Sequence, residues 1–299
     1  MILCVAANPS IDRLFAVDRL APGEIHRPAE FAQVPGGKGL NVARSAAALG
    51  GEVTAAALLG GHAGRWVAEQ LEAEGVPLEA AWFEAETRSS LSVAGAAEGL
   101  TEFYEHGHPV SPSEWAAFEE VVRSRIPGAA WTTLSGSLPV GAPADGYERL
   151  MGSGRIALDA RERGIDAGPA IVKLNAAEAA QAVGVQTTGA DGARAAAAEL
   201  HRRSGGAAVV TRGEDGAVLV TPDGERLEGR APASGSYPVG SGDAFLAGLV
   251  VALDRGAGWD DAFRAALGAG AANAELPGAG RLDRARAEQL AEQAEVRRV

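Results

Sequence analysis

Residues 238–248 combine groups that could bind an anion with one that could accept a proton. Gly240 and Gly242 stand directly before a uniformly apolar stretch, which predicts a buried helix over residues 244–253. The free backbone N–H groups at such a helix start can bind an anion that approaches the glycines closely. Asp243 lies beside them and is placed to take a proton from an attacking hydroxyl. The alternative is that Asp243 serves only as the helix N-cap, for which aspartate is well suited.

A second glycine-rich segment, residues 35–43, also enters a predicted helix and contains one lysine, Lys38. It is not a P-loop, because Gly39 rather than serine or threonine follows the lysine. It is not a dinucleotide-binding fingerprint either, because the G-x-G-x-x-G spacing is absent. Taken alone, the segment is better explained as a flexible turn with a solvated lysine.

A third segment runs from the end of a predicted strand into a predicted helix and contains Lys173, Asn175 and Glu178. Together these side chains could reach phosphate groups and a hydrated Mg²⁺ ion. The alternative is a capping box, in which Asn175 caps the helix and Glu178 is the third helical residue. Taken alone, the capping box is the better explanation.

Composition limits the kind of protein that could carry these segments. Of the 299 residues 46% are hydrophobic and 22% are charged, so the chain can bury a core and is not globally disordered. The formal net charge of −12 disfavours nucleic acid or an anionic membrane as a partner, so an anionic substrate needs a local basic site. The single cysteine, Cys4, excludes an intrachain disulfide. The first residues predict a buried strand rather than a signal peptide, and no stretch predicts a membrane span, so we expect a cytoplasmic protein.

Short apolar runs alternate with helical patterns along most of the chain. This alternation predicts an α/β fold with a largely parallel sheet covered by helices on both faces, and ligands bind at the carboxyl ends of such strands. The predicted strands are residues 2–7, 53–59, 131–134, 156–158, 170–172 and 207–211. The predicted helices, besides 244–253, are residues 40–49, 66–74, 112–125, 176–183 and 190–203.

Two segments, residues 14–34 and 90–106, alternate polar and apolar residues instead. They predict strands with one solvent-facing side. Because both segments lack helical patterns, we expect them to form one small β-layer that projects from the main domain and could act as a lid.

In this order along the chain, the motifs resemble those of the ribokinase superfamily, and most closely its phosphofructokinase B branch, the kinases of phosphorylated ketohexoses. The resemblance covers essentially the whole chain. The matching segments are Asn8-Pro9-Ser10-Ile11-Asp12, GGKGLNVAR at 36–44, Thr87-Arg88, SGSLP at 135–139, the set Lys173, Asn175 and Glu178, residues 211–217, and residues 239–243.

The resemblance implies a ribokinase-like, doubly wound, mostly parallel sheet flanked by helices, with a small β-sheet lid that often makes the dimer contact. Residues 1–299 would form a single kinase domain, with a discontinuous lid from about 13–35 and 88–107. The family transfers the γ-phosphoryl group of ATP, as its Mg²⁺ complex, to a sugar hydroxyl. We therefore expect ATP, Mg²⁺ and a phosphorylated sugar as ligands, and a homodimer formed through the lid.

The resemblance also implies a role for each matching residue. Asp243 would be the catalytic base, and Gly240, Ser241 and Gly242 would form the anion hole for the transferring group. Sugar binding would involve Asp12, Gly37, Lys38, Asn41, Arg88, Arg27 and Ser137. Lys38 and Arg88 would together hold the phosphate already on the sugar, since two cations suit a dianion. The nucleotide would contact Lys173, Asn175, Glu178, Thr211, Gly213, Gly216 and Asn273, with Mg²⁺ held by Asn175 and, through water, by Glu178.

Fructose 1-phosphate is the favoured substrate, followed by tagatose 6-phosphate and fructose 6-phosphate. The region 147–175 is shorter than is typical of the resembled family, with little room for the usual helices. One alternative is therefore a catalytically weak protein that binds a sugar phosphate. Another is a kinase of an unphosphorylated sugar or of a nucleoside.

Overall fold

The fold contains two β-sheets, seen in a computed structural model that describes residues 1–95, 99–160, 163–185, 187, 189–232 and 235–299. The main sheet has the strand order β14-β13-β12-β11-β10-β9-β8-β1-β4-β5, and the small sheet has the order β3-β2-β6-β7. The strands are β1 (Ile2–Ala6), β2 (Ser10–Val17), β3 (Glu30–Gly36), β4 (Val53–Gly60), β5 (Leu78–Phe83), β6 (Arg88–Gly95), β7 (Gly99–Tyr104), β8 (Trp131–Ser135), β9 (Arg155–Asp159), β10 (Ile171–Asn175), β11 (Ala207–Thr211), β12 (Ala217–Val220), β13 (Arg226–Arg230) and β14 (Glu295–Arg298).

The main sheet is parallel from β5 through β4, β1, β8, β9 and β10 to β11. Strands β12, β13 and β14 continue it as an antiparallel edge. In β1 the side chains alternate between two cores: Ile2 and Cys4 pack on one face, and Leu3 and Val5 on the other. A strand with both faces buried has a continuous apolar sequence. The apolar run at residues 2–7 predicted such a strand.

Helices cover both faces of the main sheet. They are α1 (Lys38–Ala48), α2 (Gly61–Ala73), α3 (Pro112–Arg125), α4 (Gly146–Leu150), α5 (Ala176–Val183), α6 (Gly189–Ser204), α7 (Ser241–Asp254), α8 (Trp259–Ala274) and α9 (Arg284–Glu292). Helices α1, α2, α7, α8 and α9 supply one core, and α3, α4, α5 and α6 supply the other. None of the helices in the described ranges is long and apolar enough to cross a lipid bilayer.

The predicted doubly wound α/β architecture is confirmed, and every strand and helix predicted from the sequence coincides with an observed element of the same type. Cys4 is buried in β1, as predicted. The ends of the elements differ by up to a few residues. The sequence did not predict β5, the antiparallel edge strands, α4, α8 or α9.

The small sheet is formed by the two segments that lacked helical patterns. Strand β2 pairs in parallel with β6, and β3 and β7 flank them as antiparallel neighbours. The pairing aligns Asp12, Ser90 and Tyr104 in one row across the sheet, and all three line a large cavity. The neighbouring row, with side chains on the opposite face, contains Arg13 and Phe103. The strands start at Ser10 and end at Tyr104, close to the predicted limits of 13–35 and 88–107.

The region 147–175 contains only short helices among its described residues, as its length predicted. Helix α4 has five residues. Between β9 and β10 the described residues include a single 3₁₀ turn, Ile165–Ala167. Strands β9 and β10 nevertheless have five residues each and pair with their neighbours, so their carboxyl ends lie at the same edge of the sheet.

Candidate active site

A cavity of about 1460 Å³ opens at the carboxyl ends of the parallel strands, between the main sheet and the small sheet. The main sheet contributes residues at or just after its strand ends, among them Asn8, Gly136, Asp159, Asn175 and Thr211. This is the edge at which α/β sheets bind ligands. The three glycine-rich and charged segments singled out in the sequence all border the cavity.

Two lysines and two carboxylates form an ion-pair cluster in this cavity. Lys38 Nζ lies 3.0 Å from Asp159 Oδ1 and 2.6 Å from Glu178 Oε1. Lys173 Nζ lies 2.7 Å from Asp159 Oδ2. The Asp159 side chain is fully buried, and a buried carboxylate is tolerated only when it is paired and hydrogen-bonded. Asp159 therefore bridges the two ammonium groups.

The ion pairs of the cluster favour the charged forms of Asp159 and Lys38. Burial opposes ionisation of Asp159, but the attraction of Lys173 and Lys38 outweighs it and lowers the pKa of this carboxyl. Burial likewise favours the neutral amine of Lys38, yet Asp159, Glu178 and Asp243 together raise the pKa of Lys38 above its ordinary value. The cavity thus presents a permanent positive charge from Lys38 toward any anion that enters.

Asp243 is the third residue of α7 and is almost completely buried. The N-cap of this helix is Gly240, and no side chain caps it, so the capping alternative for Asp243 is wrong. Asp243 Oδ2 instead accepts a hydrogen bond of 2.9 Å from Asn41 Nδ2. Burial raises the pKa of Asp243 to about 7, with Asp159 adding to the rise and Lys173, Lys38 and the Asn41 bond opposing it. A carboxyl group with such a pKa can accept a proton near neutral pH.

The start of α7 is shaped by its two glycines. Gly240 has a φ of +85°, a conformation that L-residues with a side chain rarely adopt. A Cβ on Gly242 would lie 2.7 Å from Lys173 Nζ, so the glycine lets this ammonium group reach the helix end. The N–H groups of Ser241 and Asp243 donate to Pro238 O and Gly240 O. Within the described chain, those of Gly240 and Gly242 have no protein acceptor and remain for an anion.

Asn273 does not line the cavity, so the structure does not bear out its predicted place beside the nucleotide base. Its side chain is fully buried and joins two loops. Asn273 Nδ2 donates to Val239 O at 2.9 Å, and its Oδ1 accepts from Gly280 N at 2.9 Å. Asn273 therefore holds the loop in front of α7 in place.

The small sheet and the end of β1 form the other end of the cavity. Asp12 Oδ1 accepts from Ser10 Oγ at 2.6 Å, and its Oδ2 accepts from Gly37 N at 3.3 Å. Burial raises the pKa of Asp12 above its usual value, against the effect of these bonds and of Arg88.

Arg88 lies at this end and is oriented by Asn8. Its guanidinium donates to Asn8 Oδ1 at 3.1 Å and to Asn8 O at 3.2 Å, and Asn8 Nδ2 donates to Ser137 Oγ at 3.0 Å. Lys38 and Arg88 share no hydrogen-bond partner among the described residues. Both side chains line the same cavity, and their joint binding of one phosphate stays a prediction. Arg27 is exposed and does not line the cavity of its own chain.

The remaining predicted residues border the end of the cavity near β10 and β11, where Thr211, Gly213 and Gly216 line it. Asn175 and Glu178 do form a capping box: Asn175 Oδ1 accepts from Glu178 N at 2.8 Å, and Glu178 Oε2 accepts from Asn175 N at 3.0 Å. The two interpretations of this motif are compatible, because Glu178 Oε1 still faces the cavity, where it meets Lys38.

A hydrated Mg²⁺ ion fits these donors. No group of three or more histidine, cysteine or acidic side chains among the described residues is arranged to hold a metal ion. Mg²⁺ commonly uses one or two carboxylates together with water and substrate phosphates. Glu178 provides one such carboxylate oxygen on the cavity wall.

Sequence reasoning missed Asp159, the residue that joins both lysines. It gave no role to Ser135 or Tyr147, which also line the cavity. The hydroxyl of Tyr147 donates to Gly136 O at 2.9 Å and holds the turn after β8. The position of Asp159 as the last residue of a buried strand was the signal that could have identified it, because Asn175 and Thr211 end their strands in the same way.

Comparison with known proteins agrees with this geometry. Residues 1–285 match the sequence pattern of the pfkB family carbohydrate kinases. The chain is 33% identical over 270 residues to a 1-phosphofructokinase of Haloferax volcanii, with 88% of each chain covered. It is 32% identical over 287 residues to the ATP-dependent 6-phosphofructokinase isozyme 2 of Mycobacterium tuberculosis, covering 93% of this chain and 85% of the relative.

Among solved structures, the chain is similar to phosphofructokinase-2 of Escherichia coli in complex with substrates and products. The TM-score is 0.87 at 25% sequence identity, and 98% of each chain is covered. The similarity therefore extends over the main sheet and the small sheet alike.

Proposed function

The chain belongs to the pfkB family of carbohydrate kinases, and from this we propose that it transfers the γ-phosphoryl group of ATP to a hydroxyl of a phosphorylated ketohexose. Fructose 1-phosphate is the favoured substrate, and tagatose 6-phosphate and fructose 6-phosphate follow. The relatives named above include both a 1-phosphofructokinase and a 6-phosphofructokinase, so their names support the class of substrate rather than one sugar.

One observation carries this proposal: a buried carboxylate with a pKa of about 7 lies at a glycine-opened helix start in a cavity that also holds two lysines. Phosphoryl transfer requires little covalent chemistry from the protein, but it requires positioning and charge neutralisation. The cavity supplies a base, free amides and cations for the transferring group. Arg88 adds a separate cation at the far end.

In the proposed reaction Asp243 accepts the proton of the attacking sugar hydroxyl. Asn41 orients Asp243 through its amide nitrogen, which donates to Asp243 Oδ2. The amides of Gly240 and Gly242 bind the transferring phosphoryl group. Positioning of this kind can lower a barrier by about 7–11 kcal/mol, and a general base adds about 10²–10⁴ in rate.

The cations divide between the two phosphates of the reaction. Lys38 and Lys173 lie beside Asp159 and neutralise charge on the phosphoryl group in transfer, whereas Arg88, held by Asn8, binds the phosphate already on the sugar. This revises the role expected for Lys38 from the sequence. Mg²⁺, which neutralises nucleotide phosphates, would be held by Asn175 and, through water, by Glu178.

A panel of acceptors tests the proposal. ADP release is measured with fructose 1-phosphate, tagatose 6-phosphate and fructose 6-phosphate, and with fructose and ribose as unphosphorylated controls. We expect the highest kcat/KM with a phosphorylated ketohexose. Higher kcat/KM with ribose or fructose would favour the kinase of an unphosphorylated sugar. No turnover with any acceptor, together with tight binding of a sugar phosphate by calorimetry, would favour the catalytically weak binding protein.

We further propose that two copies associate through the outer face of the small sheet. Phe31 is 59% exposed and Phe103 is 56% exposed, and Phe15 packs against Phe31 with ring centroids 5.6 Å apart. Exposed aromatic residues on one face of a sheet favour an interface, because their burial is strongly stabilising. A cytoplasmic location stays a prediction.

A further inference from the structure

Lysine occurs at only two positions of the chain, 38 and 173, and both belong to the ion-pair cluster. Every other member of the 27 lysine and arginine residues is an arginine. A lysine ammonium is a compact charge on a flexible stem, whereas a guanidinium is a planar fork that holds a carboxylate in fixed geometry. Both cationic positions of the cluster therefore carry the side chain that changes partners more readily.

The two lysines differ in their freedom to move. The Lys173 side chain is 3% exposed, and its ammonium group lies between Asp159 and the start of α7, where a Cβ on Gly242 would contact it. The Lys38 side chain is 31% exposed and shares its ammonium group between Asp159 and Glu178. Because Lys173 also pairs with Asp159, Lys38 can move away and the buried Asp159 carboxylate still keeps one ion pair.

The contact between Lys38 and Glu178 involves one particular oxygen. Glu178 Oε2 accepts from Asn175 N as part of the capping box at the start of α5. Glu178 Oε1 accepts from Lys38 Nζ. Oε1 is also the oxygen that a metal ion or its water would use, since Oε2 is already engaged. Lys38 and a divalent cation thus compete for one oxygen atom.

We propose that, in the protein without nucleotide, Lys38 takes the place of the divalent cation on Glu178, and that it turns to the transferring phosphoryl group when the metal–nucleotide complex binds. The inference rests on the proposed kinase function. Without nucleotide, Lys38 neutralises the negative charge of Glu178. With the metal–nucleotide complex bound, the metal would neutralise Glu178, and Lys38 would neutralise charge on the phosphoryl group. Free metal consequently binds weakly, and it binds well together with the phosphates that supply further oxygen ligands.

Binding of Mn²⁺ to the protein without nucleotide or sugar tests this exchange, with free Mn²⁺ measured by electron paramagnetic resonance. We expect Lys38→Met to bind Mn²⁺ at least about tenfold more tightly than the wild type, because a competing charge beside Glu178 is removed. Lys38→Gln is a second variant with the same expected result. Lys38→Arg should remain as weak as the wild type, since it keeps the positive charge on Glu178.

A matched control is Arg163→Met, which removes a positive charge from the lining of the same cavity. Arg163 has no contact with Glu178 in the described structure, so its Mn²⁺ affinity should stay within about twofold of the wild type. In the double variant Lys38→Met with Glu178→Gln the gain should disappear. The exchange is rejected if Lys38→Met and Lys38→Gln bind no more tightly than the wild type. It is also rejected if Arg163→Met shows an equal gain, or if the gain persists without the Glu178 carboxylate.

The acceptor panel separates this inference from the proposed function. An active wild-type kinase whose Lys38→Met variant shows no gain in Mn²⁺ affinity would reject the exchange alone. A wild-type protein without kinase activity that shows the full Mn²⁺ pattern would reject the proposed function alone.

Discussion

Replacing Asp243 by asparagine tests the assignment of the base. Asp243→Asn is expected to lower kcat by about 10²–10⁴ and to leave the KM for sugar and ATP nearly unchanged, since only the proton acceptor is lost. The amides of Gly240 and Gly242 remain, so activity above background should persist. Steady-state kinetics of the purified variant check this. Wild-type turnover would remove Asp243 from the mechanism.

The same variant has a second readout, its stability at different pH values. Folding raises the pKa of Asp243 to about 7, so the stability that this group contributes is lost as the pH rises through that value. Asparagine cannot ionise. Asp243→Asn should therefore unfold at a higher temperature than the wild type at pH 8. Its free energy of unfolding should be higher by up to about 4 kcal/mol. Thermal melts should show this advantage shrinking toward pH 5.

The pH dependence of kcat/KM is a further prediction for Asp243. A base must be deprotonated, so kcat/KM should rise with pH and level off above about pH 7. Lys38 lowers the pKa of Asp243, so Lys38→Met should move this acid limb to higher pH. The sugar phosphate ionises identically with both enzymes, so the difference between their pH profiles reports the protein. Superimposable acid limbs would contradict the electrostatic coupling of Lys38 to Asp243.

Arg88 and Lys38 should differ in the kinetic constant that they control. Arg88→Met is expected to raise the KM for a phosphorylated ketohexose about ten- to a hundredfold with kcat largely kept. The reason is that Arg88 is proposed to bind the sugar phosphate that does not react. Lys38→Met should instead lower kcat. Arg65→Met, which changes an exposed arginine of α2, is the control for loss of charge. A fall in kcat with Arg88→Met and a pure KM effect with Lys38→Met would reverse our assignment.

The sequence predicted which residues gather around the cavity more reliably than it predicted their partners. Asp12, Arg88 and Asp243 all line the cavity, as expected from their motifs. The partner of Lys38 could not be read in the same way, because Asp159 follows it by 121 positions and ends a strand that carries no motif of its own. Such a contact depends on the order of strands in the sheet, which local patterns do not contain.

At the level of elements, a methyl group added at the start of α7 tests the contact between this helix and Lys173. Gly242→Ala would place a Cβ 2.7 Å from Lys173 Nζ, and Asp159 prevents that ammonium group from moving away freely. We expect kcat to fall about 10²-fold, as for other small displacements of catalytic groups, with an unchanged or higher melting temperature. Gly128→Ala is the control, since nothing lies within 4 Å of its Cβ position. Wild-type kcat in Gly242→Ala would show that Lys173 need not reach the helix start.

Elements with a clear local period were predicted, and those defined by their neighbours were not. Strand β1 is apolar throughout and α3 has a capping box with a proline at its start, so both stand out in the sequence. Helix α8 consists largely of alanine and glycine and is fixed by its packing on α7. Strand β14 is mostly exposed and charged, and its pairing with β13 defines it. Tertiary contacts of this kind override weak local propensity.

At the level of the whole molecule, the outer face of the small sheet predicts the oligomeric state. Phe31→Glu or Phe103→Glu should convert a dimer into a monomer, because a charge would be buried in an apolar contact. Trp82→Glu is the matched control, since Trp82 is an exposed aromatic residue of the main sheet, on its edge strand β5. Sedimentation velocity distinguishes the species. A monomeric wild type at micromolar concentration would rule out this interface.

The confinement of lysine to the cavity has a practical consequence for following the protein in solution. A sample grown with lysine carrying ¹⁵N at its side-chain nitrogen would contain two labelled ammonium groups, both in the ion-pair cluster. Its nitrogen spectrum would therefore report the interior of the cavity without background from the protein surface. Acylating reagents would be similarly selective, because the arginine-rich surface offers them no side-chain amine. The extent of side-chain acylation would then measure how far the cavity is open to solvent.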